Sequence, residues 1–291
     1  MDQIFYNSTE KPQGFKPKAL LAFTSTFAKI SPNLSADFAL KYLFKPYSRR
    51  NYDFRTQVPP HETHTVKTIK GDLALHHFFA KSDEHVILSH GWADTSVRFT
   101  YLINELLEQN LNVWVFDQIG HGKSQGDTAH LFGFIDGLRK SIDFIHSKDH
   151  NLKSILGHSM GALAVLNQDE EILKNKKIIM MSAPTKFFEN LFINTKKFGV
   201  SNKMLLNALN KVSDIYDVPW MELSPEKHTY KIQNDFLMVH DEADPTCSYE
   251  NFKNLISGTD HQFITTTGLG HLKILRDPVV LKQISDFIKI N

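Results

Sequence analysis

From residue 64 onward the chain changes between short apolar runs and longer stretches in which apolar residues return every three or four positions. His64–Lys70 and Leu73–Ala80 alternate around Gly71-Asp72, which predicts an antiparallel hairpin. HVILSH at 85–90, NVWVFD at 112–117, SILGHS at 154–159, KIIMMSA at 177–183, FLMVH at 236–240 and HQFITTT at 261–267 then read as strands. Helical periodicity fills 96–109, 131–146, 160–174 and 278–290. Strands that are apolar on both faces need helices on both faces, so the sheet is expected to be mainly parallel after its opening hairpin. The fold class is α/β: a mainly parallel central sheet flanked by helices, with ligands expected at the carboxyl ends of the strands.

Two stretches fall outside this rhythm. Between Pro184 and Asp235 about 50 residues stand where an αβ connection needs about 2 to 6, and they carry Phe187, Phe188, Phe192, Phe198, Trp220 and Met221 at helix-like spacing. That insertion is expected to be a small helical cap. Lys18–Phe44 is amphipathic at helical spacing, a pattern that packing on its own domain explains more simply than a lipid interface. Arg49–Pro60 reads as a polar linker. The expected organisation is a helical arm and linker at 1–60, a core at 61–184 and 235–291, and a helical cap at 185–234.

Composition narrows the class without choosing a chemistry. With 33 Lys+Arg against 32 Asp+Glu, the balance gives no reason to expect nucleic acid or an anionic partner. Cys247 is the only cysteine, so neither an internal disulfide nor a cysteine-based zinc site can form. With no apolar run of membrane-spanning or signal length, the expectation is a cytoplasmic protein. His61-Glu62-Thr63-His64 holds two histidines three apart but lacks a third ligand at recognisable spacing, so no metal site is expected, and no cofactor is called for.

The chemistry concentrates at Gly157-His158-Ser159-Met160-Gly161, a G-x-S-x-G at the junction of a strand and a helix. A sharp turn there lifts the Ser159 hydroxyl above the sheet edge, and small residues two before and two after it avoid a clash. A serine hydroxyl needs a base, and the base needs an orienting acid. His271, in Gly268-Leu269-Gly270-His271 after the last strand, is the expected base. Asp244, four residues past the strand end at His240 and followed by Pro245, is the expected acid, with Asp241 as the alternative. Backbone N–H groups of Met160 and of Trp92, in His90-Gly91-Trp92, would stabilise an oxyanion, Gly91 allowing the close approach. His158 is read as a packed or hydrogen-bonded neighbour.

On these residues the chain resembles the α/β-hydrolase superfamily over roughly 64–290. His90-Gly91-Trp92 is similar to its HG-x oxyanion motif. Asp117-Gln118-Ile119-Gly120-His121-Gly122-Lys123-Ser124 with Gly126 resembles the D-x-x-GHG-x-S-x-G loop of its esterase, lipase and monoacylglycerol-lipase-like branches. His240–Pro245 resembles the acid loop, with Asp241 where glycine is usual. The resemblance implies a two-step acyl-enzyme mechanism, and the aromatic-rich composition of the expected cap points to a small to medium apolar ester. The other readings are a lysophospholipase or monoacylglycerol lipase at a membrane surface and a low-turnover binding protein on the same fold.

Overall fold

The computed structural model describes residues 15–46, 54, 62–233 and 235–290, so most of the polar linker at 49–60 lies outside the described residues. The chain forms two compact units, one of residues 46–185 with 228–291 and one of residues 1–45 with 186–227.

The larger unit is built on one eight-stranded sheet: β1 (Glu62–Thr68), β2 (Gly71–Phe78), β3 (Glu84–Ser89), β4 (Asn112–Phe116), β5 (Asn151–His158), β6 (Lys177–Met181), β7 (Phe236–Asp241) and β8 (Gln262–Thr266). Their spatial order is β1-β2-β4-β3-β5-β6-β7-β8. β2 runs antiparallel to β1 and β4, and the pairs from β4 through β3 to β8 are parallel. β4 is buried at every residue and β3 at all but its first, as expected of strands covered on both faces. Val86, Leu88, Val113, Val115, Leu156 and Val239 all join one apolar core with the helices below.

The helices of this unit are α3 (Thr100–Glu108), α4 (Leu131–His146), α5 (Met160–Leu166), α6 (Glu170–Leu173), α9 (Tyr249–Leu255), α10 (Gly270–Lys273) and α11 (Pro278–Lys289). Their starts follow from local chemistry. His130 accepts the N–H of Gly133 at the start of α4, and Asp277 accepts those of Val279 and Val280 before a proline-led α11. The single helix expected over 160–174 is instead two. The Gln168 side chain donates to the carbonyls of Ala164 and Ile135, tying the chain down where α5 ends. The hairpin turn also differs: Ile69 and Lys70 form it, while Gly71 pairs with Thr68 and Asp72 with Lys67.

The smaller unit joins two segments distant in sequence: α1 (Phe15–Ile30) and α2 (Pro32–Leu43) with α7 (Phe187–Lys197) and α8 (Asn202–Tyr216). Pro32 ends α1 and opens α2. The Thr24 hydroxyl donates to the Gly199 carbonyl at 3.0 Å and accepts from the Ser201 N–H at 3.0 Å. The Asn207 amide bonds both the Ala28 carbonyl and Ser35 Oγ at 3.0 Å. Phe188 and Phe192 pack on Trp220 with ring centroids 5.0 and 5.7 Å apart. Among the described residues no helix is long and apolar enough to cross a membrane.

Candidate active site

The order β4-β3-β5 makes the chain reverse direction across the sheet at β3, which opens a crevice at the carboxyl ends of β3 and β5. Ser89 and Gly157 are partners in the β3–β5 register, so the loop after β3 and the serine after β5 emerge side by side. Ser159 has φ 54° and ψ −124°, a strained conformation for a residue with a Cβ, and its N–H donates to the Met181 carbonyl at 2.9 Å.

The flanking glycines are required by contact. A Cβ on Gly161 would collide with the carbonyl oxygen of Ser89, and one on Gly157 with that of Gly161. On Gly91 it would stand 2.8 Å from Ser159 Cβ and 3.3 Å from Ser159 Oγ, so the loop of Trp92 runs against the serine. Met160 opens α5, and its N–H, in the first turn, has no acceptor within the helix. Gly161→Ala should therefore destabilise the protein by about 2 kcal/mol or more, since the clash is with backbone that side-chain rotation cannot relieve. Thermal unfolding measures this, and an unchanged melting temperature would contradict the packing described.

The loop after β3 is held by buried histidines. His121 Nε2 accepts the Ala93 N–H at 3.0 Å, and His90 Nε2 accepts the Gln118 N–H at 3.0 Å. Ala93 itself has φ 55°. Asp117 accepts from the N–H groups of Ser96 and Lys123 at 2.8 Å each, fastening the loops after β3 and β4 together. Asp117 and His121 thus brace the loop, and Ser124 Oγ accepts the Ala74 N–H at 2.9 Å; none of these contacts reaches Ser159.

His271 and Asp244 meet: His271 Nδ1 donates to Asp244 Oδ2 at 2.8 Å. The other carboxylate oxygen of Asp244 accepts the N–H groups of Thr246 and Cys247 at 2.8 and 2.9 Å. Burial alone would raise this carboxyl, but the bonds from His271, Cys247 and Thr246 outweigh it and hold it at about 2. Asp241, the alternative acid, is spent elsewhere. It accepts from Thr266 Oγ1 and from the N–H groups of Leu269 and Ala243, at 2.7, 2.9 and 2.9 Å. It ties the acid loop to the histidine loop, which accounts for a carboxylate where glycine is usual. His158 Nε2 lies 3.0 Å from the His271 carbonyl and donates to it.

Two features are invisible in the spacing of the sequence. The Ser159 hydroxyl is hydrogen-bonded to Cys247, whose thiol is pushed far up by burial and by the Asp244 carboxylate. Cys247 Sγ, a His271 nitrogen and an Asp244 oxygen lie within 4.8 Å of one another. On the hairpin, the register sets His77 opposite Glu62, giving Glu62 and His64 a third potential metal donor, again within 4.8 Å. In that group Glu62 already pairs with His64 at 2.9 Å. Beside α10, a groove of about 770 Å³ is lined by Arg98, Tyr101, Leu272 and Arg276.

Sheet order, elbow and converging loops define an α/β-hydrolase fold with serine at the elbow. The serine aminopeptidase family S33 matches residues 80–213, a little under half of the chain. A monoacylglycerol lipase of Mycolicibacterium smegmatis is 33% identical over 81 residues, 26% of this chain and 29% of that protein. The monoglyceride lipase of Homo sapiens is 31% identical over 90 residues, 29% of this chain and 30% of that protein. The alignments thus span less than a third of either relative. An esterase structure from Pyrococcus furiosus superposes with a TM-score of 0.65 at 18% identity, covering 85% of this chain and 97% of the other.

Proposed function

We propose that the protein hydrolyses a carboxylic ester with a small to medium apolar acyl group, Ser159 being the nucleophile, His271 the general base and Asp244 the residue that orients it. The observation that carries this reading is the 2.8 Å bond from His271 Nδ1 to Asp244, which leaves Nε2 as the proton acceptor on a residue whose carbonyl is held by His158, the neighbour of a strained serine. In the first step His271 takes the hydroxyl proton as Ser159 Oγ bonds to the carbonyl carbon. The tetrahedral oxyanion is held by the N–H groups of Trp92 and Met160. His271 then gives the proton to the leaving alcohol, and a water activated by the same imidazole releases the acid.

Cys247, the one other nucleophilic type near the site, does not fit the role of attacking group. A thiol pushed so far up stays protonated at neutral pH, and only the thiolate attacks. A fluorophosphonate probe is accordingly expected to label the protein at Ser159 and abolish turnover of p-nitrophenyl esters, while iodoacetamide at neutral pH leaves turnover unchanged. Inactivation by iodoacetamide, or absence of labelling, would remove Ser159 from the nucleophile's place. Rates on esters from acetate to laurate then locate the acyl preference, and turnover of none of them would overturn an esterase.

The local identity with two monoacylglycerol lipases favours a second reading, hydrolysis of a monoacylglycerol or lysophospholipid. Faster turnover of monooleoylglycerol than of any soluble p-nitrophenyl ester would select it.

A further inference from the structure

The smaller unit carries an apolar surface that its own packing does not use. On α1 the inward positions are Thr24 and Ala28, and on α2 they are Ser35, Ala36 and Ala39. A second apolar row, Leu20, Phe23, Phe27 and Ile30, follows the i, i+3, i+4 spacing along another side of α1. Phe23 is 58% exposed and Ile30 76%. On α2, Leu34, Phe38 and Tyr42 stand four apart, with Leu34 63% and Tyr42 58% exposed. The rings link into one band across both helices: Phe23 to Phe27 at 5.8 Å, Phe27 to Phe38 at 6.2 Å, and Phe38 to Tyr42 at 4.5 Å. Phe198, 75% exposed, extends the surface, because neighbouring Gly199 packs against Pro17 and Leu20.

An aromatic band of this size on an ordinary solvated face is unfavourable unless something covers it. Its charge selects the occupant. Residues 16–45 hold five lysines, at 16, 18, 29, 41 and 45, against one acid, Asp37, and that acid is already paired with Lys211 at 2.5 Å. Lys196, Lys197 and Lys203 add positive charge around Phe198. Aromatic and aliphatic side chains between lysines match a bilayer interface, where rings sit at headgroup depth and ammonium groups meet lipid phosphates and serine carboxylates. At 16 and 12 residues, neither helix is long enough to span a bilayer.

We infer that α1 and α2 form a docking face for an anionic lipid surface, the helices lying in the plane of the interface with the Phe23–Phe27–Phe38–Tyr42 band immersed. Residues 15–45 lie outside the segment matched by the S33 family, so this face belongs to the chain's own arm. The inference is independent of the serine chemistry.

The test is co-sedimentation of the full-length protein with vesicles of phosphatidylcholine alone or mixed with phosphatidylserine. Strong binding to the mixed vesicles, weakened by salt, is expected. Phe23→Ser with Phe38→Ser should weaken it by about tenfold or more, from lost apolar burial, and Lys18→Glu with Lys41→Glu should weaken it selectively on anionic vesicles. Both variants should melt like the parent and hydrolyse p-nitrophenyl butyrate at its rate, since the changed side chains lie outside the candidate site. If the double serine variant fails to fold, the lysine pair carries the test. Parent protein left in the supernatant, or equal sedimentation of parent and variants, overturns the inference. So does a dimer in sedimentation velocity that the serine pair abolishes, which would make a second copy the occupant.

Discussion

Ser159→Ala is expected to lower turnover of a p-nitrophenyl ester by on the order of 10⁴-fold or more, with the melting temperature within a few degrees of the parent or above it. In the proposed mechanism the loss follows from removing the oxygen that forms the acyl-enzyme. The preserved fold follows because alanine keeps the Cβ and sheds only a hydroxyl that is bonded to Cys247. Asp244→Asn should cost a comparable factor on the order of 10³ to 10⁴ through a different route. An amide in place of the carboxylate no longer fixes the proton on His271 Nδ1, so Nε2 is not held as acceptor. The two variants differ in their probe chemistry: the asparagine variant still labels slowly with a fluorophosphonate, whereas the alanine variant does not label at all. If Ser159→Ala retains esterase activity sensitive to the same probe, another serine does the work and the site proposed here is wrong.

Much of this arrangement was legible because physical necessity leaves a mark on the sequence. The strands β3 to β7 show as unbroken apolar runs because both sheet faces are covered. Ser159 shows because Gly157 and Gly161 leave no room for a Cβ against neighbouring backbone. The choice between Asp244 and Asp241 was not decided by spacing. Both carboxylates follow β7 and could turn toward the histidine; what separates them is that Asp241 is met by Thr266, Leu269 and Ala243 from two loops. The contact of Cys247 with Ser159 and the placing of His77 opposite Glu62 depend on chain reversals and strand register, which residue types alone do not encode. The arm presented a similar ambiguity. Its periodicity shows apolar positions on more than one side of α1 but cannot say which side meets the insertion; Thr24 and Asn207 settle that through bonds across the smaller unit.

Lowering the pH from 7 to 5 should remove about 6 kcal/mol of stability or more, since three of the several histidines that the fold keeps neutral account for about that much. Burial, with added repulsion from His90, brings His121 down to about 3; burial and Lys70 bring His130 to about 4; burial and His271 bring His158 to about 3. In the unfolded chain each titrates near ~6.5. Their folded values lie below the unfolded one, so stability is complete above about pH 6.5 and is lost as pH falls, because the unfolded chain takes up protons that the native state refuses. At pH 5 each contributes a loss of about 2 kcal/mol, nearly the same whether its folded value is 3 or 4. The sum is comparable to the whole stability of an ordinary domain, about 5 to 15 kcal/mol. Asp244 adds nothing in this window, since a carboxyl held at about 2 loses its contribution only below its unfolded value near 3.8. Urea unfolding at a series of pH values measures the effect as a falling midpoint, and a flat profile between pH 7 and 5 would mean that these imidazoles accept protons within the fold. His130→Asn isolates one of these protons: asparagine preserves an N-cap acceptor for Gly133 and cannot titrate, so the pH slope should become shallower. Function should follow the same curve. His121 is held at about 3 in the fold, so its unprotonated Nε2 keeps the Ala93 N–H down to pH 5, and turnover should fall only as the folded fraction falls.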